Sequence, residues 1–182
     1  MDLIAKLRQL EEESRKRGIP IIGSEKGYWL FSFIQDHKPL QILEIGTAIG
    51  YSGIILGSAG GNVITIDKNE KEMKEAELNL IQCKIKHTCL FGEGVAVVSS
   101  LTKTKTSFFD LIFIDFAKKQ YLTILNDCLM LIKNGGHIIA DNITKEDCRD
   151  FKEAILHHSQ LKTKIIPIGD GLSCSEAIKD DA

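Results

Sequence analysis

The stretch FDLIFIDFAKKQY, residues 109–121, decides how this chain is read. Its apolar run, Leu111 to Ile114, has the length of a strand and no polar face, as expected of a strand covered on both sides of a parallel sheet. The run ends in a carboxylate, Asp115, and a lysine, Lys118, follows three residues on. Burial accounts for the strand but leaves those two charges unexplained.

Working outward, the same pattern recurs. QILEIG (41–46), NVITID (62–67) and GGHIIAD (135–141) are short apolar runs, and KHTCLFGEG (86–94) is a weaker one. Helical spacing fills the gaps: about 51–59, then NEKEMKEAELNLIQC (69–83), about 118–132, and TKEDCRDFKEAILHH (144–158). The end, LKTKIIPIGDGLSCSEAI (161–178), reads as a hairpin about Gly169-Asp170-Gly171. Two helices precede the first strand. Leu3, Ile4, Leu7 and Leu10 mark one over 2–17, stopped by Gly18 and Pro20; the other runs over roughly 24–36 with Ser24 as N-cap. Alternating strands and helices predict a single doubly wound, Rossmann-like α/β domain over 1–182. Its seven-stranded sheet is mostly parallel and closes with the antiparallel hairpin. Residues 1–37 are expected to cover the cofactor and acceptor sites, and 40–182 to form the core.

Composition bounds the function. With 182 residues, 43% hydrophobic and 26% charged, the chain can bury a sizeable core, and a net charge of −2 supplies no global field toward nucleic acid or membrane. The basic residues Lys6, Arg8, Arg15, Lys16 and Arg17 share their helix with Glu11, Glu12 and Glu13, which favours a solvated face over an RNA contact. No apolar stretch approaches the ~20 residues of a membrane span. The five cysteines form no CxxC and no zinc spacing, which predicts reduced thiols and a cytoplasmic protein.

Three strands, ITID67, IFID115 and IIAD141, finish in aspartate. Parallel strands bring such ends to one edge, where open α/β sheets bind ligands. Each aspartate would also suit a helix cap, but three around one edge point to a cleft. The turn LEIGTAIGYSG (43–53) spaces its glycines as Gly46-x3-Gly50-x2-Gly53, so it lacks the GxGxxG of a dinucleotide site and argues against an NAD-dependent oxidoreductase. It still allows close backbone approach and presents helix N–H groups to a carboxylate. Asp67, 21 residues after Gly46, is placed to accept from two ribose hydroxyls. A nucleoside without pyrophosphate, S-adenosylmethionine, meets both conditions. Asp115, Asp141 and Asn142 offer hard oxygen ligands of the kind Mg²⁺ takes, with Ca²⁺ or Mn²⁺ as alternatives.

In combination, LEIGTAIGYS, VITID, FDLIFIDFAKKQY and GGHIIADN resemble the cation-dependent O-methyltransferases, a family that includes catechol and caffeoyl-CoA O-methyltransferases and small microbial relatives. The resemblance covers about residues 20–178. It implies a divalent cation on Asp115, Asp141 and Asn142, with Lys118 as the catalytic base. It also implies an S-adenosylmethionine site formed by Glu44, Gly46, Tyr51, Ser52, Asp67, Lys68, Gly92, Glu93 and Asp115. In such a mechanism the cation lowers the pKa of an acceptor hydroxyl, the lysine takes its proton, and the oxygen attacks the sulfonium methyl in line. The implied acceptor is a catechol-like molecule with vicinal oxygens, and the implied assembly is a homodimer. Two features depart from the family. Its IDADK pattern is IDFAK here, which puts Phe116 and Ala117 beside the site. The long loop that many relatives carry after the Asp-Asn pair is missing, so the acceptor side is expected to be open and able to take a hydroxylated uridine of tRNA. Tyr28 and Trp29 are candidates for the acceptor wall, with a core role favoured. A non-catalytic S-adenosylmethionine-binding protein is a further alternative, disfavoured because binding alone does not need Lys118 and its acidic neighbours.

Overall fold

The computed structural model describes residues 2–179. The Asp2 carboxylate accepts from Ala5 N at 3.2 Å and starts α1 (Leu3–Arg17); Gly18, at φ 67°, ends it. Then follow α2 (Gly23–His37), β1 (Gln41–Ile45), α3 (Tyr51–Leu56), β2 (Asn62–Asp67), α4 (Glu70–Gln82) and β3 (Lys86–Phe91). The second half comprises α5 (Gly94–Leu101), β4 (Phe109–Ile114), α6 (Leu125–Leu131), β5 (Ile132–Asp141), α7 (Arg149–His157), β6 (Leu161–Ile166) and β7 (Leu172–Ala177).

The seven strands form one sheet in the order β3-β2-β1-β4-β5-β7-β6. The first five are parallel, and β7 enters antiparallel between β5 and β6. Strand order therefore reverses between β1 and β4, which opens a crevice at their carboxyl ends. The continuous apolar runs follow from packing on both faces. Leu43, Ile45, Ile112 and Ile114 point into a core shared with α5, α6 and α7. Their neighbours Ile42, Leu111 and Phe113 point into the core beneath α1, α2 and α3.

Several boundaries differ from the expectation. Ser24 is not the N-cap of α2: the helix begins at Gly23, with Ile22 at the cap position and no side-chain cap bond. The helix expected over 118–132 is two 3₁₀ turns, Lys118–Gln120 and Leu122–Ile124, leading into α6. The segment 144–158 likewise starts with a 3₁₀ turn before α7. Helix α5 was not anticipated, because GVAVVSSL is short and valine-rich and has the composition of a strand. Among the described residues, no helix is long and apolar enough to cross a membrane. All five cysteines are free thiols.

Candidate active site

At the switch point the ends of β1 and β4 nearly touch. Gly46 sits at φ +103°, and a Cβ there would lie 2.0 Å from the Asp115 carbonyl oxygen, so only glycine fits. The turn that follows is held by Asp67. Its Oδ2 accepts from the backbone N–H groups of Thr47 and Ala48, each at 3.0 Å, and its Oδ1 accepts from Asn69 N at 2.9 Å. Ala48, at φ 42°, is strained for a residue with a side chain, and the carboxylate offsets that strain.

A cleft of about 250 Å³ opens over this turn. Of the residues proposed for the cofactor, Gly46, Tyr51, Ser52, Asp67, Lys68, Glu93 and Asp115 line it. Lys68 and Glu93 form an exposed ion pair of 3.5 Å at its rim. The Tyr51 hydroxyl donates to Glu11 Oε1 at 2.5 Å, tying α1 to the cleft. Two expected residues do not line it. Gly92 is half-buried and donates its N–H to the Asp67 carbonyl at 3.0 Å. Glu44 is wholly buried under the floor, accepting from Ser52 Oγ and Thr65 Oγ, each at 2.5 Å. Burial pushes the Glu44 carboxyl up to about 7, against the pull of those two hydroxyls. Phe116 lies on this cleft, stacked on the buried Tyr121 with ring centroids 5.5 Å apart, and so close to Gly94 that a Cβ there would lie 3.0 Å from the ring.

A second cleft of about 470 Å³ adjoins the first and shares Pro20, Ile21, Ile22, Asp115 and Lys118 with it. Lys118 Nζ donates to Asp115 Oδ1 at 3.1 Å. Asp141 and Asn142 line this second cleft, so the four residues expected around a metal and its base are brought together. Asn142 turns the chain at φ 59°, a conformation asparagine tolerates. Ile143 N and Thr144 N then bond to the carbonyls of Gly171 and Asp170, which ties this segment directly to the hairpin. Tyr28 lies outside the second cleft, largely exposed at the far side of the Gly169 turn, and Trp29 stacks on Phe33.

Two residues that the sequence reading did not assign dominate this cleft. Lys26, on the first turn of α2, is buried, and its ammonium bonds both Asp141 Oδ1 and Asp170 Oδ1. Asp170 Oδ2 also accepts from Asn142 Nδ2 at 2.7 Å and from Lys145 Nζ at 2.9 Å. Asp141 Oδ1 additionally takes the Asn142 N–H at 2.7 Å. Burial raises the Asp115 and Asp141 carboxyls, which also repel each other; Lys118 and Lys26 oppose that rise. Burial acts against the Asp170 charge too, but the lysines around it win and hold its carboxyl far below the usual range.

The expected ligand set is partly engaged by neighbouring side chains, and Asp115 Oδ2, Asp141 Oδ2 and Asn142 Oδ1 are left without a hydrogen-bond partner, oxygens of the kind a divalent cation takes. Asp141 and Asn142 are engaged by Lys26 and Asp170, and Asp115 by Lys118. Among the described residues, no group of three or more His, Cys, Asp or Glu is arranged to hold a metal ion.

Comparison with known proteins agrees with this architecture. Catechol O-methyltransferase B of Danio rerio is 28% identical over 151 residues, covering 78% of this chain and 57% of that protein. The caffeoyl-CoA O-methyltransferase of Medicago sativa is 26% identical, covering 95% of this chain and 82% of the plant enzyme. This chain spans 55–62% of the length of the first catechol relatives it matches. Among solved structures, the O-methyltransferase from Bacillus cereus in complex with SAH superposes with a TM-score of 0.85 at 23% identity, covering 95% of this chain and 90% of that one. The family pattern described as O-methyltransferase matches residues 2–178, and the chain belongs to that family.

Proposed function

We propose that this protein transfers the methyl group of S-adenosylmethionine to a hydroxyl oxygen of a small acceptor. The observation that carries the reading is the pair of adjoining clefts that meet at Asp115 and Lys118. A methyl donor in the first cleft and an oxygen in the second would face each other across those two side chains. Several relatives are named for catechol or caffeoyl-CoA methylation, and the Bacillus cereus structure holds the demethylated cofactor.

The chain's own residues supply the following chemistry. Helix α3 follows the glycine turn, and its buried Ser52 lines the cofactor cleft where the methionine end would lie. Asp67 has one oxygen with a single partner, Oδ1, free to accept a ribose hydroxyl. Phe116 and Gly94 offer a flat apolar wall for the adenine. Lys118 stands at the junction, where in its neutral form it accepts the acceptor's proton as the oxygen attacks the sulfonium carbon. A phenolate and a sulfonium annihilate their charges in that step, so the rate gain comes mainly from holding them in line at contact. A divalent cation would be held by the unpartnered oxygens of Asp115, Asp141 and Asn142, and there it would lower the pKa of the acceptor hydroxyl.

A second acceptor class is supported by a specific feature. The segment after Asn142 is tied to the hairpin and forms no lid, leaving room for a hydroxylated uridine presented by tRNA. The deciding assay is methyl transfer from labelled S-adenosylmethionine to a simple catechol and to bulk tRNA in parallel, with thermal stabilisation by S-adenosylhomocysteine as a control. Label on either acceptor is the expected result and identifies its class. Absence of any stabilisation by S-adenosylhomocysteine would refute the reading.

A further inference from the structure

We infer that the acceptor carries a cationic arm, an ammonium group on a short chain, and that Glu25 and the ring of Tyr28 receive it where the acceptor cleft opens outward. The inference rests on the methyltransferase reading above and narrows its acceptor class.

The second cleft joins two others through different residues. It meets the cofactor cleft at Asp115 and Lys118, and it meets an outer groove of about 510 Å³ at Ser24, Glu25, Ile168 and Gly169. It is therefore a corridor. An acceptor whose oxygen lies at Lys118 extends its remainder toward Glu25. The hairpin side of the outer groove is held in shape by its own backbone: Ile168 N donates to the Ile166 carbonyl and Gly171 N to the Ile168 carbonyl, each at 2.9 Å.

The lysines of the corridor are all bonded to aspartates: Lys118 to Asp115, Lys26 to Asp141 and Asp170, and Lys145 to Asp170. None is bonded to Glu25, whose exposed carboxylate forms no ion pair among the described residues. Among those residues, Glu25 is also the one charge lining the outer groove. A first-turn carboxylate suits the positive end of α2 as well. That accounts for its charge but not for its neighbour. Tyr28, three residues on and so on the same side of the helix, is 76% exposed and lines the same groove.

A carboxylate beside an open aromatic face, with Pro167 and Ile168 as apolar surface opposite, suits an organic ammonium ion. Such an ion gains an ion pair with the carboxylate and the attraction of a cation to a ring face. A carboxylate-bearing arm would meet Glu25 as a like charge, and so would the phosphates of tRNA. A neutral arm would gain apolar contact alone.

The test is methyl transfer, in excess Mg²⁺, to three catechols with arms of similar length: dopamine, propylcatechol and dihydroxyphenylacetate. The wild type should favour dopamine over dihydroxyphenylacetate by about tenfold or more. The deciding readout is the ratio of kcat/KM for dopamine to that for propylcatechol, which cancels any general loss of activity in a variant. Glu25→Gln should lower that ratio about fivefold and Tyr28→Leu about threefold, whereas Tyr28→Phe keeps the ring face and should preserve it. Both side chains are exposed, so these substitutions leave the core intact. A ratio unmoved by Glu25→Gln would overturn the inference, as would a wild type that prefers dihydroxyphenylacetate, or one that labels tRNA and no catechol. If no acceptor is labelled while S-adenosylhomocysteine still stabilises the protein, the inference falls and the methyl-donor site stands. Absence of that stabilisation sinks both.

Discussion

Replacing Glu44 by glutamine should remove most of one pH-dependent term from the stability of the fold. Glu44 is wholly buried, and its contacts are two hydroxyls, Ser52 Oγ and Thr65 Oγ, with no cation paired to it. Its carboxyl is raised from 4.5 to about 7, first by burial and then by repulsion from Asp115 and Asp67, with the two hydroxyls pulling the other way. The sign follows from linkage. Below the unfolded value both states hold the proton and burial of the acid costs nothing extra. Between the two values the folded chain keeps a proton that the unfolded chain releases, so stability falls as pH rises. Above about 7 both states are ionised and the full cost of burying the charge applies. Two to three pH units at ~1.4 kcal/mol each amount to about 3 kcal/mol. Glutamine keeps the shape and one acceptor, and the hydroxyls can turn to accept from its amide. The assay is urea unfolding at pH 5 and pH 8. Other titrating groups act in both proteins, so the difference between the two pH responses isolates Glu44, apart from its coupling to Asp67 and Asp115. Because pH 5 already lies above the unfolded value, the wild type should lose about 2–3 kcal/mol more than the variant over that interval. Parallel responses would refute an acid raised by burial.

Lys118→Ala should lower the rate of methyl transfer by about 10²–10⁴ while leaving S-adenosylhomocysteine affinity nearly unchanged, as expected for a base that touches the acceptor; equal losses in both would assign Lys118 to cofactor binding. Gly46→Ala should destabilise the protein by about 4 kcal/mol or more, read from its urea midpoint, because a Cβ at φ +103° meets the Asp115 carbonyl at 2.0 Å. An unchanged midpoint would mean that the ends of β1 and β4 are not in contact.

Much of the fold was legible because burial on both faces writes itself as uninterrupted apolar runs. Ile42-Leu43 and Leu111-Ile-Phe-Ile114 alternate between the two cores, so neither face left a polar position to suggest another structure. The turn chemistry was legible where one residue type was required, as at Gly18 and Gly46. What failed locally had a local cause. Helix α5 has the valine content of a strand, and residues 118–124 carry helical periodicity but wind as two 3₁₀ turns, with Tyr121 between them stacked on Phe116. The strand-end aspartates revealed where the cleft lies, and the structure does gather Asp67, Asp115 and Asp141 along one edge. Glu44 lay in the same motif but faces the opposite way, under the turn; its neighbours on β1, Leu43 and Ile45, are equally buried, so alternation gave no signal of its direction.

Lys26 marks a different limit. It stands 115 residues from Asp141 and 144 from Asp170 along the chain, and SEKG by itself reads as the solvated first turn of a helix. Lysine is almost never buried without a partner, so its burial becomes readable only once the partner is known. Here the partners arrive from β5 and from the turn before β7, and that meeting depends on β7 inserting antiparallel between β5 and β6. A strand-end motif specifies which oxygens reach the edge of the sheet. It does not specify the charge opposite them, which is set by an element preceding the sheet. The chemistry of the cleft follows all of its charges rather than the motif alone: in this protein Lys26, Lys118 and Lys145 bond its three aspartates, and Glu25 adds a further carboxylate to the lining.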